Sequence, residues 1–264
     1  MHDAVLCCDL DGVVWLGETP IRGSADAIAR LRSSGRRVVF VTNNSSATRG
    51  EYAAKLTRLG IPSGPSDVIS SASAAGSWCV ATLGREARVL VCAGAGVHEA
   101  LHAAGCEQVV DASQAAPGDV SDAVVCGWHR HFDFQRLAVA ADAVHRGARF
   151  VATNLDPTYP TAHGRLPGNG ALVAAIATAS GRSPDVVAGK PHEPMVAAVR
   201  AVCGDTGIMV GDRPSTDGVF ATRLGWPFAL VLSGVAGEGG EEPVPEPAPD
   251  YVTPDLASFV ERLL

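Results

Sequence analysis

The chain is thin in several things at once. Aromatic residues make up only 5% of its 264 positions. So small a supply gives little sign of a platform for stacking bases. No run approaches the roughly 20 apolar residues that a membrane span needs. The N-terminus reads MHDAVLCCDLDG; it lacks a basic leader, and charge breaks its apolar run, so no signal peptide is expected. The seven cysteines are odd in number and have no Cys-x-x-Cys spacing. Reduced thiols in a cytoplasmic protein fit that pattern better than a disulfide framework. The eight histidines are not read as a zinc site. Basic residues are outnumbered 21 to 28, for a formal net charge of -7. An acidic surface repels nucleic acid and anionic lipid, so neither is the expected partner.

What is abundant is apolar sequence, 47% of the chain, enough to bury a large core. The length suggests one or two domains. Short β-rich runs alternate with Ala-rich amphipathic stretches. Strands are expected at 5–9, 38–42, 68–71, 89–92, 109–110, 124–126, 149–152, 187–188, 208–211 and 228–232. Helices are expected at 24–33, 48–59, 97–104, 134–146, 170–180, 216–224 and 255–264, with another running to about 83. This rhythm implies an α/β fold with parallel strands and helices on both faces. The strands are too many for one comfortable sheet. The expectation is a Rossmann-like core of residues 1–79 and 186–264, with an inserted α/β domain over 80–185. Residues 237–250, GEGGEEPVPEPAPD, read as a solvated loop.

The sharpest local feature is Asp9-Leu10-Asp11-Gly12, directly after an apolar strand. Side chains at i and i+2 of an extended segment point the same way. Two carboxylates therefore converge at a strand end, where open α/β sheets place their ligands. A second acidic pair, Asp212 and Asp217, follows another apolar run. Several carboxylates at one mouth repel each other unless a cation sits among them, and hard oxygen donors suit Mg²⁺. Thr42 and Asn43 end the second strand, where a hydroxyl and main-chain N–H groups can hold phosphate oxygens. Lys190, flanked by Gly189 and Pro191, has a restrained backbone from which to aim an ammonium. Taken singly, Thr42 and Asn43 read better as an ordinary strand-to-helix turn and Lys190 as a solvated surface charge.

In this order the pieces DLDGVVW, FVTNNSS, GKPHEPM and VGDRPSTDG resemble the haloacid dehalogenase (HAD) superfamily over nearly the whole chain. FVTNNSS and GKPHEPM look like its NagD-like or p-nitrophenylphosphatase-like branch, which carries a large α/β cap of type C2a. The resemblance implies a magnesium-dependent phosphatase that forms a transient aspartyl-phosphate. Carried over by position, Asp9 is the nucleophile and a metal ligand. Asp11 is the general acid/base, with its carbonyl on the metal. Thr42, Asn43 and Lys190 take the phosphoryl group, Asp212 is a metal ligand, and Asp217 supports the metal site. Gly218 departs from the pattern, which usually has an aliphatic residue there. TNLDPTYP and LPGNG resemble cap segments that face the site or lie near the hinge, so Asn154, Asp156 and Asn169 are candidates either to contact the leaving group or, equally, to hold their loops by Asx-turn chemistry. The expected partner is a small phosphorylated metabolite, glycerol 3-phosphate or another polyol or sugar phosphate first; a homodimer through the cap is compatible with the resemblance. The alternatives are a nucleoside monophosphate phosphatase and a non-catalytic phosphate-binding regulator on the same fold. A dehalogenase would not need Asp11 or the metal cluster, and a mutase usually has a small helical cap.

Overall fold

The computed structural model describes residues 5–161, 164–234 and 247–264. The first part of the chain forms β1 (Val5–Cys8), a tight hairpin β2 (Trp15–Leu16) and β3 (Thr19–Pro20), α1 (Ser24–Ser33), β4 (Val38–Thr42), α2 (Arg49–Arg58), β5 (Val68–Ser70) and α3 (Ser71–Leu83). The middle forms β6 (Arg88–Cys92), α4 (Ala95–Ala104), β7 (Gln108–Asp111), β8 (Ala123–Cys126), α5 (Phe134–His145), β9 (Arg149–Ala152), a hairpin β10 (Thr158–Thr161) and β11 (Gly164–Pro167), α6 (Asn169–Ser180) and β12 (Val186–Val187). The last part forms α7 (Glu193–Cys203), β13 (Gly207–Gly211), α8 (Val219–Leu224), β14 (Phe228–Val231), β15 (Tyr251–Thr253) and α9 (Leu256–Leu263).

Two parallel sheets result. The larger has the strand order β15-β14-β13-β1-β4-β5 and draws on both ends of the chain. The smaller, β12-β9-β8-β6-β7, is built wholly from the middle. β1, β4, β13 and β14 are buried along their whole length, as strands covered on both faces must be. That is why they read as continuous apolar runs and not as alternating ones. Cys8 pairs with Phe40 on one side and Val210 on the other, so β1, β4 and β13 end side by side. The chain winds outward from β1 through β4 to β5, then returns to β13 and winds the other way. β1 therefore lies at the topological switch point, where such sheets open a crevice at their carboxyl ends.

Local chemistry fixes the helix ends. Thr48 caps α2: its hydroxyl accepts from Glu51 N–H at 3.1 Å, and the Glu51 carboxylate accepts from Thr48 N–H at 2.7 Å. One apolar cluster joins the two sheets. It runs from Val39 and Val41 through Ala72 and Ala75 of α3 and Val196 and Val199 of α7 to Val89 and Val91. Among the described residues no helix is long and apolar enough to cross a membrane.

Six elements were not anticipated: α7, the four hairpin strands and β15. α7 follows the Gly-Lys-Pro segment so closely that its helical period is masked by motif residues. The hairpins β2–β3 and β10–β11 and the edge strand β15 are too short to show a period. The helix expected at 216–224 is divided: Pro214–Gly218 form a wide π-type turn, and α8 starts only at Val219. Such wide turns concentrate at functional sites, and this one carries Asp217. Most of the expected solvated loop at 237–250 lies outside the described residues.

Candidate active site

Asp9 is the first residue past β1. Its N–H donates to Val210 O at 2.9 Å, so the last ladder bond of the sheet sets its backbone. Its carboxylate accepts from Leu10 N–H at 2.8 Å. Across the crevice, Lys190 Nζ lies 3.0 Å from Asp9 Oδ1 and 2.7 Å from Asp217 Oδ1. The same ammonium donates to Val41 O at 3.2 Å, which occupies its three donors. The Lys190 side chain is only 2% exposed. Burial works against its charge, but Asp217 and Asp9 outweigh burial and hold Lys190 above the usual lysine range.

Asp212 follows β13 directly, and Asp217 lies on the wide turn after it. Carboxylate oxygens of Asp9, Asp212 and Asp217 all fall within 4.8 Å of one another. Asp212 and Asp217 are buried, and Asp9 keeps one open face. Burial is the main cause pushing the Asp9 carboxyl well above its ordinary range; Lys190 pulls it down, and Asp217 and Asp212 push it up again. Lys190 pairs directly with Asp9 and Asp217 of the three converging carboxylates. Hard oxygen donors at this spacing fit a small divalent cation, which would restore the ionised form of Asp9.

Two glycines shape the cluster. Gly12 has φ +83°, a conformation that only glycine adopts freely, and a side chain there would overlap the Asp212 carboxylate. Gly234 closes on the same carboxylate from the loop after β14. Ser233 ties the two loops together, its hydroxyl donating to Gly12 O at 2.7 Å.

Asp11 does not join the cluster. Its Oδ1 accepts from Trp15 Nε1 at 3.0 Å, and Lys55 Nζ stacks 4.3 Å above the Trp15 ring. Desolvation raises the Asp11 carboxyl above its ordinary range, against the downward pull of the Trp15 bond. The two acids of the Asp-x-Asp pair thus have different settings: Asp9 faces Lys190 and the other two cluster carboxylates, and Asp11 pairs with the Trp15 indole.

Comparison with known proteins points to one family. A profile described as haloacid dehalogenase-like hydrolase matches residues 6–107, and one described as HAD-hydrolase-like matches residues 187–259. The D-glycerol 3-phosphate phosphatase of Mycobacterium tuberculosis is 39% identical, over 98% of this chain and 71% of that protein. The chain belongs to the haloacid dehalogenase-like hydrolases. The 4-nitrophenylphosphatase of Schizosaccharomyces pombe is 32% identical, over 97% of this chain and 93% of its own length. A crystal structure of the M. tuberculosis glycerol phosphate phosphatase in complex with magnesium superposes with a TM-score of 0.86 at 37% identity, covering 98% of this chain and 78% of that one.

In this HAD-like hydrolase the remaining motif residues take varied places. Thr42 is 2% exposed, and its hydroxyl oxygen accepts from Asn44 N–H at 3.1 Å. The hydroxyl proton stays available to donate. The Asn43 side chain is committed to protein: its Oδ1 accepts from Lys190 N–H at 2.7 Å and its Nδ2 donates to Lys190 O at 3.2 Å. It aims the lysine. Its own carbonyl accepts from Asn154 Nδ2 at 2.7 Å. Asn154 also accepts from Asp156 N–H at 3.1 Å, an Asx turn that shapes the loop after β9.

Asn169 is a correction to the sequence expectation. It is 1% exposed, and its Nδ2 donates to Asn154 O at 2.8 Å and to Cys126 O and Thr153 Oγ1 at 3.3 Å. It staples the loop to the smaller sheet and presents no surface to a leaving group. Asp156 is partly exposed and faces the larger sheet.

Sequence reasoning passed over Arg213, Trp15 and Ser45. Arg213 lies inside VGDRPSTDG, where nothing in the sequence gives it a partner. Ser45 bonds Thr153 Oγ1 at 2.9 Å, a buried link between the two sheets' loops with no sequence signature. One histidine pair does have zinc-type spacing: His98-Glu99-Ala100-Leu101-His102 on α4. His98 instead pairs with Asp111 at 3.0 Å and Glu99 with Arg49 at 3.5 Å. Among the described residues only Asp9, Asp212 and Asp217 group closely enough to hold an ion.

Proposed function

We propose that this protein hydrolyses small phosphate monoesters with Mg²⁺, with Asp9 as the nucleophile. One observation carries the reading: Asp9 sits 3.0 Å from a buried lysine and within 4.8 Å of two further carboxylates at a sheet switch point. The magnesium complex of its relative supports the choice of ion. Asp9 and Asp212 with the Asp11 carbonyl would hold the ion, which when bound offsets charge on phosphoryl oxygens.

An Asp9 oxygen attacks phosphorus, and the bond from phosphorus to the leaving oxygen breaks. Asp11 gives its proton to the departing alkoxide. The resulting carboxylate then takes a proton from water, and that water attacks the aspartyl-phosphate. Inorganic phosphate leaves and Asp9 is regenerated. Thr42 and the Asn43 main-chain N–H take equatorial oxygens, while Lys190 neutralises the charge shared by Asp9 and the phosphoryl group. Asp217 serves mainly by holding Lys190, since its Oδ1 and Oδ2 accept from Lys190 and from Arg213 N–H.

The unit built on the smaller sheet acts as a cap that covers the crevice and excludes water. The leaving group is a small polyol, glycerol 3-phosphate first. Two features support that choice: the name of the M. tuberculosis relative and the low aromatic content, 5%. Phosphate release from a panel of monoesters, with Mg²⁺ and with a chelator, tests the reading. Turnover that needs Mg²⁺ and is lost in Asp9→Asn is expected; undiminished turnover in Asp9→Asn overturns it.

A further inference from the structure

Arg213 stands between the carboxylate cluster and the cap, and the reaction steps give it no part. Its N–H donates to Asp217 Oδ2 at 3.1 Å, and its carbonyl accepts from Asp217 N–H at 2.7 Å. Those bonds fix its backbone against the residue that holds Lys190. Its guanidinium then reaches the other way, with Nη1 3.7 Å from Asp156 Oδ1. Asp156 Oδ2 accepts from Asn43 Nδ2 at 3.4 Å, and Asn43 grips the Lys190 peptide on both sides. A run of alternating charge therefore leads from nucleophile to cap: Asp9, Lys190, Asp217, Arg213, Asp156. Burial works against the Arg213 charge, but Asp156, Asp212, Asp217 and Asp9 together outweigh it.

We propose that Arg213 and Asp156 form a positioning pair that couples seating of the cap to the geometry of the catalytic centre. The proposal rests on the phosphatase reading above. The contact suits a closure that must form and release in every turnover. It is a single long ion pair, not a bidentate one, and its side chains are 26% and 29% exposed. Such a pair is worth more than a surface bridge and less than a fully desolvated one. When it closes, Asp156 also engages Asn43, and through Asn43 the lysine that faces the nucleophile. The competing role for Arg213 is that of a counter-charge for the acidic cluster alone, in which Asp156 has no share.

The full-length protein separates the two. Mg²⁺-dependent hydrolysis of p-nitrophenyl phosphate and glycerol 3-phosphate is measured for wild type, Asp156→Asn, Arg213→Gln and the double variant. Hydrogen exchange of residues 153–157 is followed in parallel without substrate. Each single change should lower kcat/KM about tenfold or more, mostly through kcat, and the double variant should fall no further than the weaker single. Asp156→Asn should leave the Mg²⁺ concentration for half-maximal rate unchanged, and exchange at 153–157 should quicken in all three variants. Wild-type kinetics in Asp156→Asn, multiplying losses in the double variant, or unchanged exchange overturns the pairing. A wild-type protein inert to both esters overturns the functional reading instead, and the exchange result still decides the pairing.

Discussion

Gly12→Ala and Gly234→Ala press on the same carboxylate from two sides, and they separate steric from conformational cost. A Cβ at Gly12 would stand 2.3 Å from Asp212 Oδ2, and one at Gly234 would stand 2.1 Å from the same oxygen and 2.7 Å from Gly12 Cα. Ordinary contact begins at 3.4 Å, so the Asp212 carboxylate must retreat by about 1.1 Å in the first case and about 1.3 Å in the second. A misplacement of about 1 Å in a reacting constellation costs on the order of 10²-fold in rate. Both variants should therefore lose roughly 10²-fold in kcat/KM and need more Mg²⁺ for half-maximal rate. Only Gly12 has positive φ, +83°. Alanine in that region costs about 1–2 kcal/mol more. At about 2–4 °C per kcal/mol for a chain of this size, Gly12→Ala should melt several degrees below Gly234→Ala. Phosphate-release kinetics across a Mg²⁺ titration, with thermal melts of the metal-free proteins, make the comparison. Wild-type Mg²⁺ response in both variants would refute the placement of Asp212 as a metal ligand.

Three more outcomes are expected. Lys190→Met strands Asp9 and Asp217 without their cation. It should cost about 3–5 kcal/mol of stability in the metal-free protein, read by denaturant unfolding, and abolish most turnover. Asn169→Ala should cost about 1–3 kcal/mol by the same measurement while leaving KM for the leaving group unchanged, because Asn169 bonds only to protein. The raised carboxyl of Asp11 keeps its proton to higher pH than an ordinary aspartate does, and that proton is lost as pH rises through its raised value. With an alkyl phosphate, kcat should fall on the alkaline side of that value. The fall should be shallow for p-nitrophenyl phosphate, whose leaving group needs little protonation, and absent in Asp11→Asn.

Much of the site was legible because parallel strands advertise themselves. VLCC, VVFVT and GIMVG are unbroken apolar runs, and the residues directly after them are Asp9, Asn43 and Asp212, with Thr42 as the last residue of its strand. What the sequence hides is reach. Lys190 stands far along the chain from Asp9, and only the fold shows that its ammonium has Val41, Asp217 and Asp9 as its three partners. Asn43 and Asn169 have the residue type of ligand contacts, yet both spend their amides on other protein groups. Asparagine in a loop serves either role equally well, and only the bonding partner distinguishes them. α7 was missed because Pro194 and the motif residues around it obscure an apolar face made of Met195, Val196 and Val199.

The most direct measurement traps the covalent intermediate. Enzyme mixed with Mg²⁺ and a phosphate monoester is acid-quenched within a turnover, reduced with borohydride and digested for mass spectrometry. Reduction should convert Asp9, and no other aspartate, to homoserine, with a larger yield in Asp11→Asn, where dephosphorylation is slowed. Steady turnover with Asp9 unmodified in both proteins would contradict the account.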